Sequence, residues 1–170
     1  EYSEAELARM FWELGDGPQS RRFARAIVQA RQQGPLETTG QLARLIERIA
    51  PRRGEKRHPA TRMFQALRMT VNNEVSSLAS GLAAACTLLR PGGRLAVITF
   101  HSLEDRIVKQ FGHEKARDYT VTGEVDLPDF RVPRPPQMRW IHRKALAVSE
   151  IEAKSNPRAR SAKLRVLEQL

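Results

Sequence analysis

Leu89-Arg90-Pro91-Gly92-Gly93-Arg94-Leu95-Ala96-Val97-Ile98-Thr99-Phe100-His101-Ser102-Leu103-Glu104-Asp105-Arg106 is the stretch whose reading decides the fold. Leu95 to Phe100 is a continuous apolar, β-branched run, the pattern of a strand buried on both faces. Pro91-Gly92-Gly93 reverses the chain just before it. Ser102 offers an N-cap, with Asp105 at capping-box spacing. Leu103, Ile107 and Phe111 give the following helix an apolar face, and Gly112 is placed to end it. The unit reads as turn, buried strand, polar strand end, helix. In open α/β sheets, ligands sit at the carboxyl ends of strands, which directs attention to Thr99, His101 and Ser102.

Working backward, residues 75–89 carry Val75, Leu78, Leu82, Ala85 or Cys86, and Leu89 at near-heptad spacing. This predicts a helix that packs on the sheet. Before it, Pro59 opens a helix with Phe64, Leu67 and Val71 on its apolar face and Arg62 and Arg68 elsewhere. Asn72-Asn73 can interrupt it. Arg52 to His58 is a basic, glycine-containing linker that fits a solvated loop and a phosphate contact equally well. Three short amphipathic helices precede the linker. Ser3 and Glu6 cap the first, which buries Leu7, Met10, Phe11 and Leu14. The second, Gln19 to Gln33, shows Phe23, Ile27 and Ala30 inward and Arg21, Arg22, Arg25 and Arg31 elsewhere. Thr38 and Gln41 cap the third, with Leu42, Leu45, Ile46 and Ile49 inward and Pro51 as its stop. Residues 1–57 thus read as a small helical module.

Working forward, the polar segment from His113 to Gln137 is broken by Pro128, Pro133, Pro135 and Pro136 and reads as a long loop. Met138 to Val148 and Ser161 to Leu167 read as strands, the second with Ala162, Leu164 and Val166 facing inward. Asn156-Pro157 marks a turn before the last strand. Too few residues join these two strands for a crossover helix, so they should pair antiparallel.

The 170 residues suffice for one ordinary domain with a small appendage. Lys and Arg number 29 against 19 Asp and Glu, a net charge of +10, which favours a polyanionic partner and nucleic acid above all. No apolar run approaches a membrane span, and no membrane partner is expected. A single cysteine, Cys86, suits a reducing compartment and a core position. The scattered His58, His101, His113 and His142, with one Cys, give no zinc pattern, and no metal site is assigned. Glu104 and Asp105 could act as an acid–base pair, but carboxylates are favoured in a first helical turn anyway. No P-loop and no G-x-G-x-x-G is present, so no cofactor-binding residue is assigned. His101 beside Ser102 is no triad; both suit capping or positioning. Arg158 and Arg160 set two guanidinium groups beside a turn, suited to phosphate or to surface carboxylates.

Taken together, His58-Pro59-Ala60-Thr61-Arg62, Phe64-Gln65-Ala66-Leu67-Arg68 with Asn72, Pro91-Gly92-Gly93-Arg94-Leu95, Phe100-His101-Ser102-Leu103-Glu104-Asp105-Arg106-Ile107-Val108-Lys109 and Asn156-Pro157-Arg158-Ala159-Arg160-Ser161-Ala162-Lys163-Leu164-Arg165 resemble the bacterial small-subunit ribosomal RNA cytosine-N4 methyltransferase family, also called RsmH or MraW. The resemblance runs through nearly the whole chain and is weakest from His113 to Gln137. It corresponds to the later part of the family's sequence, without the opening strand and glycine-rich loop that hold the cofactor.

The resemblance implies an α/β fold, a partial class I (Rossmann-like) methyltransferase sheet with an α-helical inserted module. Residues 1–57 would be part of the inserted domain and 58–170 the C-terminal part of the methyltransferase domain. The implied reaction is methyl transfer from S-adenosylmethionine to cytidine N4 in small-subunit ribosomal RNA, in the cytoplasm, with this chain alone inactive. His101 and Ser102 are the candidates to line the cytidine pocket. Arg62, Arg68, Arg106, Arg158 and Arg160 are the candidates to hold RNA phosphates. The final strand should lie between the other two, leaving Leu95–Phe100 with one neighbour. That edge would be covered by self-association or by an N-terminal segment. The competing reading is a non-catalytic RNA-binding or assembly module derived from the same fold.

Overall fold

The computed structural model describes residues 2–15, 17–51 and 58–170. The basic run Arg52–Arg57 lies outside them. Two compact units divide the chain, Glu1–Glu74 and Val75–Leu170. By its contacts the fourth helix groups with the first three.

The first unit holds α1 (Glu4–Gly15), α2 (Ser20–Gln33), α3 (Thr39–Ile49) and α4 (Ala60–Val71). Both expected capping boxes form. The Ser3 Oγ accepts from the Glu6 N–H while Glu6 accepts from the Ser3 N–H, and Thr38 and Gln41 do the same for α3. Leu7, Met10, Phe11, Phe23, Ala24, Ile27, Leu45 and Ile46 make the core, joined by Ala60, Met63 and Ala66 of α4. The expected inward face of α4 is displaced. Val71 is 76% exposed, and the most buried row is Ala60, Met63, Ala66 and Met69. Close approach explains this. A Cβ on Gly15 of α1 would stand 3.0 Å from Met63 Cε and 3.4 Å from the Arg62 carbonyl, so only small or flexible side chains fit between the helices.

The second unit holds nearly all of α5 (Glu74–Leu88), then β1 (Arg94–Thr99), α6 (Ser102–Lys115), β2 (Tyr119–Val121), β3 (Arg131–Pro133), β4 (Met138–Trp140), β5 (Leu146–Ala147), α7 (Glu150–Ser155) and β6 (Lys163–Gln169). Asn73, at φ 51°, separates α4 from α5 as the asparagine pair suggests. The main sheet runs β1-β6-β4 with β5 also on β6, and every pairing among the described residues is antiparallel. The last strand does lie in the middle, and β1 has one neighbour. The architecture is mixed α/β with antiparallel strands.

Several expectations are corrected. Met138–Val148 is two short strands, because residues 141–145 oppose only Arg165 and Val166 of β6 and must loop out. β1 is not buried on both faces. Leu95 and Val97 are half-buried and Thr99 is buried, while Ala96 is exposed and Ile98 is 60% exposed. α6 packs on β1, β6 and β4, and among the described residues the Ala96–Ile98 face stays open. β6 is most buried at Arg165, Leu167 and Glu168 rather than at the anticipated Leu164 and Val166. α5 is mostly exposed, with Leu82 alone buried and Leu88 83% exposed; its recorded touch on the sheet is Cys86 Sγ, 3.7 Å from Met138 Sδ and from Gln169 Oε1. Gly112 does not end α6, which continues to Lys115. The supposed long loop contains the β2–β3 hairpin, in which Pro133 is tolerated because the two-stranded sheet is all edge.

Candidate functional site

The carboxyl end of β1, the first turn of α6 and the amino end of β6 come together, because Thr99 pairs with Lys163 across the sheet. The cap of α6 is shifted one residue from the sequence reading. His101, not Ser102, is the N-cap, and its Nδ1 accepts from the Glu104 N–H at 3.4 Å. Nε2 lies 2.9 Å from Glu104 Oε1. Glu104 Oε2 accepts from the Phe100 N–H at 2.9 Å, tying the strand end to the helix. His101 is thus hydrogen-bonded through Nδ1, while Nε2 is buried without a hydrogen bond among the described residues. Ser102 is exposed at the first helical position.

Asp105 does not take part in the cap. Its carboxylate accepts from Arg165 Nε at 2.7 Å and Nη2 at 3.2 Å, a forked pair between α6 and β6. Lys163 Nζ lies 3.4 Å away. The hydrogen bond from Arg165 holds the Asp105 carboxyl below its ordinary value; burial opposes this, and Lys163 adds to it. Arg165 also stacks on Trp140, 5.7 Å from the ring. Trp140 fills the space left by Gly112, where a Cβ would come within 2.2 Å of the indole. His113 meets Trp140 edge-on, and burial followed by the nearby cations Lys109, Arg165, Arg117 and Arg143 lowers its pKa.

The five candidate arginines are divided between the two units. Arg62 and Arg68 lie on α4 in the first unit; Arg68 already makes a forked pair with Glu74 at 2.8 and 2.9 Å. Arg106, Arg158 and Arg160 lie in the second unit, are exposed, and have no carboxylate partner among the described residues. Arg158 and Arg160 sit in a 3-10 turn, Pro157–Ser161, that leads directly into β6.

A family model described as the MraW methylase family matches residues 1–170. The chain belongs to the MraW methylase family. Proteins named ribosomal RNA small subunit methyltransferase H are similar to it. That of Thermomicrobium roseum is 47% identical over 169 residues, covering 99% of this chain and 51% of the relative. That of Caulobacter sp. (strain K31) is 50% identical over 161 residues, 94% of this chain and 50% of the relative. That of Xanthomonas euvesicatoria pv. vesicatoria is 49% identical over 168 residues, 99% of this chain and 49% of the relative. The MraW-family chain spans about half the length of these curated relatives.

The two most distinctive motifs of this MraW-family chain therefore meet in space, through Asp105 with Arg165 and Lys163. The sequence reading missed that pairing, along with the Trp140–Gly112 contact. A signal was available: Asp105 lies one turn into a helix that follows β1, and Arg165 lies on the strand expected beside β1. The Glu168 clamp was also missed. Arg139 and Arg94 hold its carboxylate from the two strands that flank β6, and their hydrogen bonds lower its pKa against the effect of burial.

Proposed function

We propose that the protein acts in S-adenosylmethionine-dependent methylation of cytidine N4 in small-subunit ribosomal RNA, as a cytoplasmic enzyme, and that the RNA is its partner. The observation that carries this is the family match over all 170 residues. The names of the relatives support an RNA of the small subunit. We assign residues 1–57 to an inserted helical domain and 58–170 to the later part of a class I (Rossmann-like) methyltransferase domain. The open edge of β1 would be covered by further chain or by a second copy.

The residues at the carboxyl end of β1 do not fit S-adenosylmethionine. His101 Nδ1 and Glu104 Oε2 are both taken up by the helix cap, Ser102 is exposed, and no glycine-rich turn follows the strand. On this proposal the cofactor is held by residues outside these 170. What this chain supplies is positioning. The Glu104 and Asp105 contacts fix α6 against the strand end and β6, presenting Ser102 and Arg106 on the helix and Arg158 and Arg160 on the preceding turn. These exposed groups suit phosphates and the edge of an unstacked base. His101 and Ser102 remain the candidates beside the base, His101 by shaping the strand end and Ser102 through its exposed side chain.

Calorimetry on the 170-residue chain tests the division of labour. S-adenosylmethionine should give no heat at micromolar concentrations, while a small-subunit ribosomal RNA fragment should bind. Micromolar binding of S-adenosylmethionine would overturn the placement of the cofactor site. RNA binding alone also fits a non-catalytic module, so the reaction itself needs the nucleoside measurement given at the end of the Discussion.

A further inference from the structure

Within the first unit, a cavity of about 620 Å³ opens between α1 and the start of α2. Ala8 and Pro18 line it, Trp12 stands beside it at 63% exposure, and Arg9 and Arg21 flank it. A large aromatic left this open needs a reason, because burying it would contribute to the core. The start of α2 is unusual in the same direction. Its first turn contains Arg21 and Arg22 and no carboxylate, although the helix dipole disfavours cations there. Gln19 gives no side-chain cap. The Arg21 and Arg22 backbone N–H groups have no backbone acceptor among the described residues. Of the other two arginines of α2, Arg25 pairs with Glu4 and Arg31 donates to the Tyr2 carbonyl. Arg21 and Arg22 have no carboxylate partner among the described residues, and Arg9 acts on the Glu6 carboxylate only through its charge. Ser20, only 4% exposed, lines the cavity with no hydrogen bond to its hydroxyl among the described residues.

We infer that this cavity is a nucleotide-stacking site for single-stranded RNA. One unpaired base stacks on the Trp12 indole. The flanking phosphate lies at the start of α2, between Arg9 and Arg21, and the Ser20 hydroxyl faces the cavity. The chemistry requires both features: a π-face that accepts any base, and an anion-binding helix terminus with cations beside it. The inference deepens the proposed function and rests on its RNA substrate, but it uses residues far in sequence from His101, Ser102 and the other proposed phosphate contacts.

The test titrates the 170-residue chain with a short unstructured oligocytidine and, separately, with a small-subunit ribosomal RNA fragment. Tryptophan fluorescence should be quenched on oligocytidine binding, and the quench should vanish in Trp12→Phe, while Trp140 keeps its signal. Trp12→Ala should weaken oligocytidine binding by about 5- to 150-fold, the range for loss of one stacked base, and Trp12→Phe should keep most of the affinity. Arg9→Gln with Arg21→Gln should flatten the salt dependence by about 1.4 in log–log slope. Circular dichroism should be unchanged, since Trp12 is not a core residue. If the wild type binds ribosomal RNA and Trp12→Ala leaves oligocytidine affinity and quenching intact, the stacking site is overturned and the proposed function stands. If the wild type binds no RNA at low salt, the RNA substrate itself fails and takes the stacking site with it.

Discussion

Asp105→Asn is the substitution that most sharply probes how the two most distinctive motifs of this chain hold each other. The Asp105 side chain is 13% exposed and that of Arg165 is 9% exposed, so the forked pair is largely removed from water. Asparagine keeps the shape but offers one acceptor and no charge. Arg165 would then stay between α6 and β6 with its guanidinium half-satisfied. Breaking one side of a buried pair costs about 3–5 kcal/mol when burial is complete. Slight exposure at the rim brings the expected loss to about 2–4 kcal/mol, of which Lys163, nearly half exposed, accounts for about 0.5 kcal/mol. The pH dependence has a definite sign. The folded carboxyl has a lowered pKa, so its stabilisation is complete above the unfolded value of about 3.9 and is lost as pH falls through the folded value. Urea unfolding at pH 7 and near pH 3, followed by Trp140 fluorescence in a Trp12→Phe background, reads the second unit alone. The variant should be less stable at pH 7 and approach its parent in acid. In a cycle with Arg165→Met, the double variant should lose less than the two single losses combined. A loss under about 0.5 kcal/mol, or strict additivity, would refute the reasoning.

Other outcomes follow from the same structure. Gly112→Ala should destabilise the second unit by about 1–3 kcal/mol through overpacking against Trp140, despite a helix-propensity gain of up to about 1 kcal/mol; a stabilised variant would contradict the contact. Thr38→Ala should cost the first unit about 1 kcal/mol by removing the cap of α3, read in thermal unfolding. Affinity for small-subunit ribosomal RNA should fall steeply over a salt series. Replacing Arg106, Arg158 and Arg160 together by Gln should reduce the log–log slope by about 2, and a flat wild-type series would reject electrostatic binding.

The helices of the first unit were legible because their signals are local. The Ser3–Glu6 and Thr38–Gln41 boxes and the 3.6-residue spacing lie within single turns. The buried row of α4 was not, because its choice of Ala60, Met63 and Ala66 over Val71 is dictated by Gly15, far away in sequence. The central position of β6 came from the resemblance, and its antiparallel pairing with the strand at Met138 from the short connection between Val148 and Ser161. The exposure of Ala96 and Ile98 was hidden because an apolar run reads the same whether one face or both are covered. The cap moved from Ser102 to His101 because either side chain can accept from a first-turn N–H. The pairing of Asp105 with Arg165, rather than with its own helix start, left both Glu104 contacts to the strand end. Within the candidate site, the sequence puts His101 and Ser102 after β1, but only the structure shows His101 capping α6 through Nδ1 and Ser102 exposed. Arg68 could not be distinguished from Arg106, Arg158 and Arg160 until Glu74 was seen to occupy it.

The central claim is that the natural protein containing this chain methylates cytidine N4 in small-subunit ribosomal RNA. Nucleoside mass spectrometry of that RNA, from cells with the gene deleted and then restored, measures it directly. N4-methylated cytidine should be absent or reduced on deletion and should return on restoration. An unchanged level of the modified nucleoside in the deletion strain would contradict the account.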